Sequence, residues 1–339
     1  MSKIAVMGAG GFGTALSVMA NKACGAEVIM WSPFEAEVAM LDKNRRHEKL
    51  LPGIEIPAEI EITTSLNGIS GADLVIIATP SRAVRETAAR LKDILPRQIP
   101  VACVSKGIED KSYKTLSDVI ADELPLHSVV ALSGPSHAEE VARGVPTTVV
   151  AASRSRAAAE TAQDLLMNES LRIYVNDDIA GVELGGALKN IIALAAGALD
   201  GLGIGGDNTK AALMTRGITE IARLGTALGA KSETFAGLSG IGDLIVTCSS
   251  MHSRNRRFGI LIGQGKTVDE ALAEVGMTVE GYPCAKTAYE LAKKMRVEMP
   301  IIEATYGVLY EKMPPIDAIR GLMERPKRHE SEAIWLLSR

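Results

Sequence analysis

Three residues stand in settings that suggest proton chemistry: Lys189, Lys106 and Asp243. Lys189 lies within Glu183-Leu184-Gly185-Gly186-Ala187-Leu188-Lys189-Asn190-Ile191-Ile192-Ala193-Leu194, among small and apolar side chains on an expected helix. An ammonium held out of water there loses hydration, so its pKa falls from about 10.4, and a second cation nearby pushes it the same way. Such a lysine can exchange protons near neutral pH. A lysine snorkelling from an apolar helix is the plainer alternative. Lys106 follows an apolar run at Val101–Ser105 and can act as a fixed cation on a substrate oxygen, although a lysine is ordinarily a solvated surface residue. Asp243, in Gly240-Ile241-Gly242-Asp243-Leu244, is four residues from Thr247, so on a helix both share a face and Asp243 can orient Lys189. An acid that merely opens a helix after a glycine loop is its alternative.

A second set of residues can hold anions. Gly8-Ala9-Gly10-Gly11-Phe12-Gly13 fits G-x-G-x-x-G through Gly8, Gly10 and Gly13, after the run Lys3–Met7 and before a helical pattern at Thr14–Cys24. In that context Gly8 permits a tight turn, Gly10 clears space for a pyrophosphate, and Gly13 lets helix and strand pack closely. The helix N-terminus adds N–H donors and partial positive charge. Gly134 and Ser136, in Ser133-Gly134-Pro135-Ser136, can offer backbone and hydroxyl donors, or form an ordinary turn. His252-Ser253-Arg254-Asn255-Arg256-Arg257 gathers cations and amides beside an expected helix start, which suits a phosphate; a solvated charge run is the alternative. An acid or an arginine ending the second strand would discriminate NAD from NADP, but Trp31-Ser32-Pro33-Phe34-Glu35 places Ser32 there and leaves the preference open.

These residues need a frame. Apolar runs at Lys3–Met7, Glu27–Trp31, Leu74–Ala78, Val101–Ser105, Val129–Leu132 and Thr147–Ala151 alternate with helical stretches such as Thr14–Cys24, Arg82–Leu91 and Ser112–Glu123. That is the βαβ pattern of a parallel sheet, its runs lacking alternation because helices cover both faces. A last strand is expected at Arg172–Val175. From Gly181 the pattern turns helical: Val182–Gly197, Asn208–Leu228, Arg256–Gln264, Thr267–Val275, Pro283–Met295, Pro300–Tyr310 and Pro315–Met323. The expectation is an α/β protein: a Rossmann-type, mostly parallel sheet domain over 1–180 and an all-helical substrate domain over 181–339. The loops after Val101–Ser105 and Val129–Leu132 then lie at the carboxyl edge of the sheet, facing the cofactor. Glu324 to Glu330 reads as a solvated tail.

Composition narrows the class. The 339 residues are 47% hydrophobic and 23% charged, as in a folded globular chain of about two domains. Lys plus Arg number 37 against 41 Asp plus Glu, which removes the basic footprint of a nucleic-acid binder. Cys24, Cys103, Cys248 and Cys284 are too far apart for a C-x-x-C site or a disulfide framework, so a reducing cytoplasm is expected. No secretion signal opens the chain, and the stretch Ile191 to Leu199 is too short to cross a bilayer and reads as a buried helix. His47, His127, His137, His252 and His329 are scattered, so no metal is expected.

Taken together, the motifs resemble those of NAD(P)-dependent glycerol-3-phosphate dehydrogenase of the bacterial type, over nearly the whole chain. The carriers are Gly8–Gly13, Ser105-Lys106-Gly107-Ile108-Glu109, Leu132 through Ala138, Glu183 through Asn190, Gly240 through Leu244, Ser253-Arg254-Asn255 and Glu280-Gly281. Each is weak alone; seven in order are specific. The resemblance implies that Lys189 is the proton acceptor and that Lys106, Gly134, Ser136, Asp243, Ser253, Arg254 and Asn255 surround sn-glycerol 3-phosphate, with Arg254 and Asn255 on its phosphate. It implies cofactor contacts at Gly11, Phe12, Lys106, Ala138, Arg254, Thr278 and Glu280, NADPH as the reductant, and a role in phospholipid synthesis. Three positions depart from the pattern. Gly11-Phe12 stand where Ser-Trp is common, Ser32-Pro33 replace basic residues, and His137 stands where Phe is common. The expected partner is a small-molecule substrate, with no nucleic acid and no membrane span, in a homodimer. The rivals are another Rossmann dehydrogenase, acting on a 3-hydroxy acid or a sugar acid phosphate, and a nucleotide-sensing protein without catalysis.

Overall fold

The computed structural model describes residues 1–96, 98–327, 329 and 330. Arg328 of the mixed-charge tail and 331–339 of the expected helical region lie outside the described residues. The strands are β1 (Lys3–Met7), β2 (Glu27–Trp31), β3 (Arg46–His47), β4 (Leu51–Glu55), β5 (Glu61–Thr63), β6 (Leu74–Ile77), β7 (Val101–Cys103), β8 (Val129–Ser133), β9 (Thr147–Ala152) and β10 (Leu171–Asn176). The helices of the first half are α1 (Gly11–Cys24), α2 (Glu35–Asn44), α3 (Val84–Leu91), α4 (Leu116–Glu123), α5 (Ala138–Ala142) and α6 (Arg156–Leu166). Those of the second are α7 (Ile179–Gly201), α8 (Asp207–Ala227), α9 (Asp243–Ser249), α10 (Arg254–Gly263), α11 (Val268–Val275), α12 (Gly281–Met295), α13 (Pro300–Tyr310) and α14 (Pro315–Met323).

Eight strands form one sheet in the order β10-β9-β8-β7-β6-β1-β2-β5. Pairing is parallel except between β8 and β9, where Leu132 faces Ala151 in antiparallel register. The expectation that Thr147–Ala151 joins a parallel run is corrected there. A parallel return needs a crossover about as long as the sheet is deep, and α5, with five residues, is too short for it. Both faces are covered, by α1, α6 and the β3–β4 hairpin on one side and by α3 and α4 on the other. Helix α2, β5 and the hairpin were not anticipated, because Pro52 and Gly53 interrupt the apolar pattern there.

Several boundaries move. The α4 helix begins at Leu116 rather than Ser112, because Lys111 and Tyr113 take left-handed φ of 68° and 58°. At α10 the start shifts from Arg256 to Arg254: Ser253 takes the N-cap position and its hydroxyl accepts from Arg256 N at 3.2 Å. Helix α12 starts at Gly281 instead of Pro283.

After residue 178 the described chain contains helices and turns only. Helix α7 is their axis, buried along nearly its whole length. It is long and apolar enough by composition to cross a membrane, yet its apolar surface is spent on neighbouring helices and on β8 and β9. A Cβ added at Gly197 would lie 2.0 Å from Arg256 O, and one at Gly259 2.0 Å from Leu194 O. The α7 and α10 backbones therefore touch, which ties the start of α10 to the stretch of α7 carrying Lys189 and Asn190.

Candidate active site

The carboxyl edge of the sheet meets α7, α9 and α10. The sulfur-bearing strand β7 ends at Cys103, and the chain turns through Ser105, whose hydroxyl donates to Thr79 O at 2.5 Å. That turn carries Lys106 over the edge. Helix α9 begins at Asp243, and the Thr247 hydroxyl donates back to Asp243 O at 2.6 Å.

Asp243 bridges the two lysines. Lys189 Nζ donates to Asp243 Oδ1 at 2.6 Å and to Thr247 Oγ1 at 2.5 Å. Lys106 Nζ donates to Asp243 Oδ2 at 2.7 Å and to Gly134 O at 3.0 Å. Each ammonium has three hydrogens, so one remains on each for a third oxygen. One carboxylate serves two cations, and the buried cluster carries a surplus positive charge that suits an oxyanion.

The electrostatics follow from burial. Lys189 is 5% exposed and Asp243 1%. Burial pushes Lys189 down to about 8; Asp243 resists this, and Lys106 adds to it. Burial alone would disfavour the Asp243 carboxylate, but Lys106 and Lys189 together hold its pKa below the usual value. Burial therefore makes the Lys189 ammonium easier to deprotonate than a solvated lysine. The reading of Lys189 as snorkelling does not hold, since the residue is buried and its nitrogen donates to the buried Asp243 and Thr247.

The surrounding residues are positioned tightly. Gly186 lies close against this turn: a Cβ there would stand 2.7 Å from Ser133 Oγ, which would have to rotate away, and 3.6 Å from Lys106 Cδ. Ser133 Oγ and His137 Nε2 are buried without a hydrogen-bond partner. Gly134 has φ of 143°, and its carbonyl accepts from the Ser136 hydroxyl at 3.0 Å as well as from Lys106. His137 precedes α5 and lies 5.7 Å, ring to ring, from His252, whose Nδ1 is 3.5 Å from Glu139. Burial and the nearby Lys189 charge lower the His137 pKa. Spacing offered no signal for the unpartnered His137 and Ser133 atoms, because both orphans arise from what packs over them.

Arg254 and Asn255 occupy the first turn of α10, where backbone N–H groups have no intrahelical partner. The Arg254 side chain makes no hydrogen bond to protein among the described residues; desolvation lowers its pKa, and the charges of Glu280 and Glu139 resist this. Asn255 is buried and spent on structure: its Oδ1 accepts from Gly281 N at 2.8 Å and its Nδ2 donates to Asn190 Oδ1 at 2.9 Å. One amide hydrogen is left. Glu280, just before α12, reaches the sheet half of the chain, accepting from Ser81 N at 3.0 Å and from the Ser81 hydroxyl at 2.6 Å. Thr278 is exposed nearby in sequence, and Ala138 opens α5 against the sheet core.

The glycine loop fits a dinucleotide. Gly8 has φ of 128° and its N–H donates to Trp31 O at 2.8 Å. A Cβ at Gly13 would lie 1.9 Å from Gly8 O, so close packing demands glycine, whereas nothing stands within 4 Å of the same point at Gly10. No side chain caps the start of α1, which leaves its first N–H groups available to phosphate oxygens. Phe12 packs half-buried against the sheet core, and Gly11 faces Leu50 O, 2.7 Å from where its Cβ would be. Among the described residues no three His, Cys, Asp or Glu side chains converge as metal ligands.

With this geometry in view, family models match both halves of the chain: the N-terminus of NAD-dependent glycerol-3-phosphate dehydrogenase at residues 3–159 and its C-terminus at 178–320. The chain belongs to the NAD-dependent glycerol-3-phosphate dehydrogenase family. Glycerol-3-phosphate dehydrogenase [NAD(P)+] of Moorella thermoacetica is 53% identical over 97% of this chain and 98% of its own. The same-named protein of Desulfitobacterium hafniense is 49% identical over 100% of this chain and 96% of its own. A crystal structure of glycerol-3-phosphate dehydrogenase from Coxiella burnetii superposes with a TM-score of 0.91 at 37% identity, covering 96% of this chain and 99% of that one. Within the family this chain is an NAD(P)-dependent oxidoreductase, its Rossmann-like half carrying the glycine loop and its helical half carrying Lys189 and Asp243.

Proposed function

We propose that the protein interconverts sn-glycerol 3-phosphate and dihydroxyacetone phosphate, transferring a hydride between C2 and nicotinamide C4. The nicotinamide, when bound, gives or takes the hydride; the chain's own residues manage the proton and the charge. In reduction, protonated Lys189 gives its free ammonium hydrogen to the oxygen forming on C2, while the spare hydrogen of Lys106 stabilises the growing negative charge. Asp243 orients both ammonium groups. In oxidation neutral Lys189 takes the hydroxyl proton. The observation that carries this reading is the Asp243 carboxylate, 2.6 Å from Lys189 and 2.7 Å from Lys106, which leaves one donor on each lysine.

The remote phosphate falls to Arg254 and the first turn of α10, where a guanidinium and unspent N–H groups offer donors, with the remaining Asn255 amide hydrogen beside them. Ser253, Ser136 and Gly134 complete the substrate surroundings. Gly8, Gly10, Gly11, Phe12, Gly13, Lys106, Ala138, Arg254, Thr278 and Glu280 form the cofactor side. We divide the chain at 180/181 into a dinucleotide and a substrate domain, and place it in the cytoplasm as a homodimer supplying glycerol 3-phosphate for phospholipid synthesis.

The test is loss of reduced-nicotinamide absorbance on mixing protein with dihydroxyacetone phosphate and NADH or NADPH. Rapid loss supports the reaction. Cofactor binding without turnover would sink it in favour of a binding-only role, and turnover only with a hydroxy acid would favour the rival dehydrogenase.

A further inference from the structure

The end of β2 carries a carboxylate that the order of residues along the chain concealed. Gly8 of the glycine loop is bonded directly to Trp31 O, so Ser32, the next residue, stands where a Rossmann-type sheet meets the adenosine ribose. The Ser32 hydroxyl donates to Glu37 Oε2 at 2.5 Å, which brings the acid from the first turn of α2 to that point. Across from it lies His47, 4% exposed. Leu50 N donates to His47 Nδ1 at 3.4 Å, which assigns the ring hydrogen to Nε2; that atom is buried, has no hydrogen-bond partner, and lies 3.9 Å from Glu37 Oε1. The same Leu50 sets its carbonyl against Gly11, so the cluster adjoins the loop itself.

We propose that Glu37 and His47 read the adenosine ribose diol and select NAD(H) over NADP(H). A hydroxyl can donate to Glu37 Oε1 while its oxygen accepts from His47 Nε2. A 2′-phosphate has no hydrogen to give and meets the Glu37 charge at close range, a repulsion that partner selection commonly uses. The neighbouring guanidinium of Arg45 cannot offset it, being spent on Asp42 Oδ1 and on the carbonyls of Pro57 and Ile60. The preference runs opposite to the NADPH that the family resemblance implies, and it rests on the glycine loop being the dinucleotide site.

The test is direct binding, by fluorescence titration of the intact protein with NADH and with NADPH, no substrate present. The expected result is a Kd for NADH lower by about tenfold or more, the scale of one like-charge contact. Glu37→Gln should shrink that ratio severalfold, and Glu37→Ala gives the same comparison without the amide's hydrogen bonds. NADPH binding as tight as NADH in the parent protein, or a ratio unchanged in both variants, would overturn the proposal. So would tighter NADPH binding that Arg46→Ala abolishes, since the exposed Arg46 would then be the reader. Binding of neither dinucleotide overturns the loop assignment as well, a failure distinct from a wrong preference.

Discussion

Lys189 and Asp243 are 54 residues apart and on different helices, yet their charged atoms meet at 2.6 Å in the buried junction between sheet and helices. The contact holds an ammonium in a place that burial would otherwise empty of charge. Its strength decides the pH at which Lys189 changes from donor to acceptor.

Lys189→Ala should lower turnover by about 10²–10⁴-fold, the range for loss of a positioned acid–base group. The glycine loop is untouched, so dinucleotide binding should persist. Steady-state rates beside a fluorescence titration check both halves, and turnover near the parent value would remove Lys189 from the mechanism.

The pH profile has a definite sign. Oxidation needs neutral Lys189, so kcat/KM for glycerol 3-phosphate should rise with pH and level off above about 8; reduction needs the protonated form and should fall across the same region. Asp243→Asn removes the charge that holds the ammonium protonated, which should move both limbs to lower pH. Rate profiles of the two proteins in matched buffers read this directly.

Arg254→Ala should cost about 10–100-fold in kcat/KM toward glycerol 3-phosphate, as expected for a lost charge-assisted contact. Binding energy from the phosphate is used to place C2, so kcat should fall along with the rise in KM. Turnover of glycerol itself, which has no phosphate, should fall less than turnover of glycerol 3-phosphate, the remaining loss reporting the contact of Arg254 with the cofactor.

Gly11→Ser would restore the residue common at this position in the family pattern, yet here it should harm. The new Cβ meets Leu50 O at 2.7 Å, a backbone atom that cannot rotate away. Overpacking of this kind costs about 1–3 kcal/mol. A lower melting temperature and weaker dinucleotide binding are the expected readouts.

Glu183 makes stability depend on pH. Burial raises its pKa from 4.5 to about 7, with its carboxylate accepting from Ser117 N at 2.8 Å at the start of α4. Between these two values the folded state binds the extra proton, so the contribution of this residue to stability falls as pH rises from about 4.5 to 7 and stays lost above. Glu183→Gln should flatten the melting temperature across that interval. Glu220, also raised to about 7, titrates in the same direction and leaves part of the slope in the variant.

The chain's order alone was enough to read the glycine loop, the apolar strands and the lysine set in an apolar helix, because each is a local signal: a turn that needs glycine, a run covered on both faces, a charge out of place. Residue types and spacing also brought Asp243 and Thr247 to one helix face. Only tertiary structure decided that Asp243 serves both lysines, because β7, α7 and α9 must first meet before one carboxylate can lie between Lys106 and Lys189. The reversed β9, the Glu280–Ser81 clasp and the Glu37 carboxylate at Ser32 were equally out of reach. Each depends on the path of a connection or on a side chain arriving from another element, and no periodicity along the chain records where a side chain from elsewhere will point.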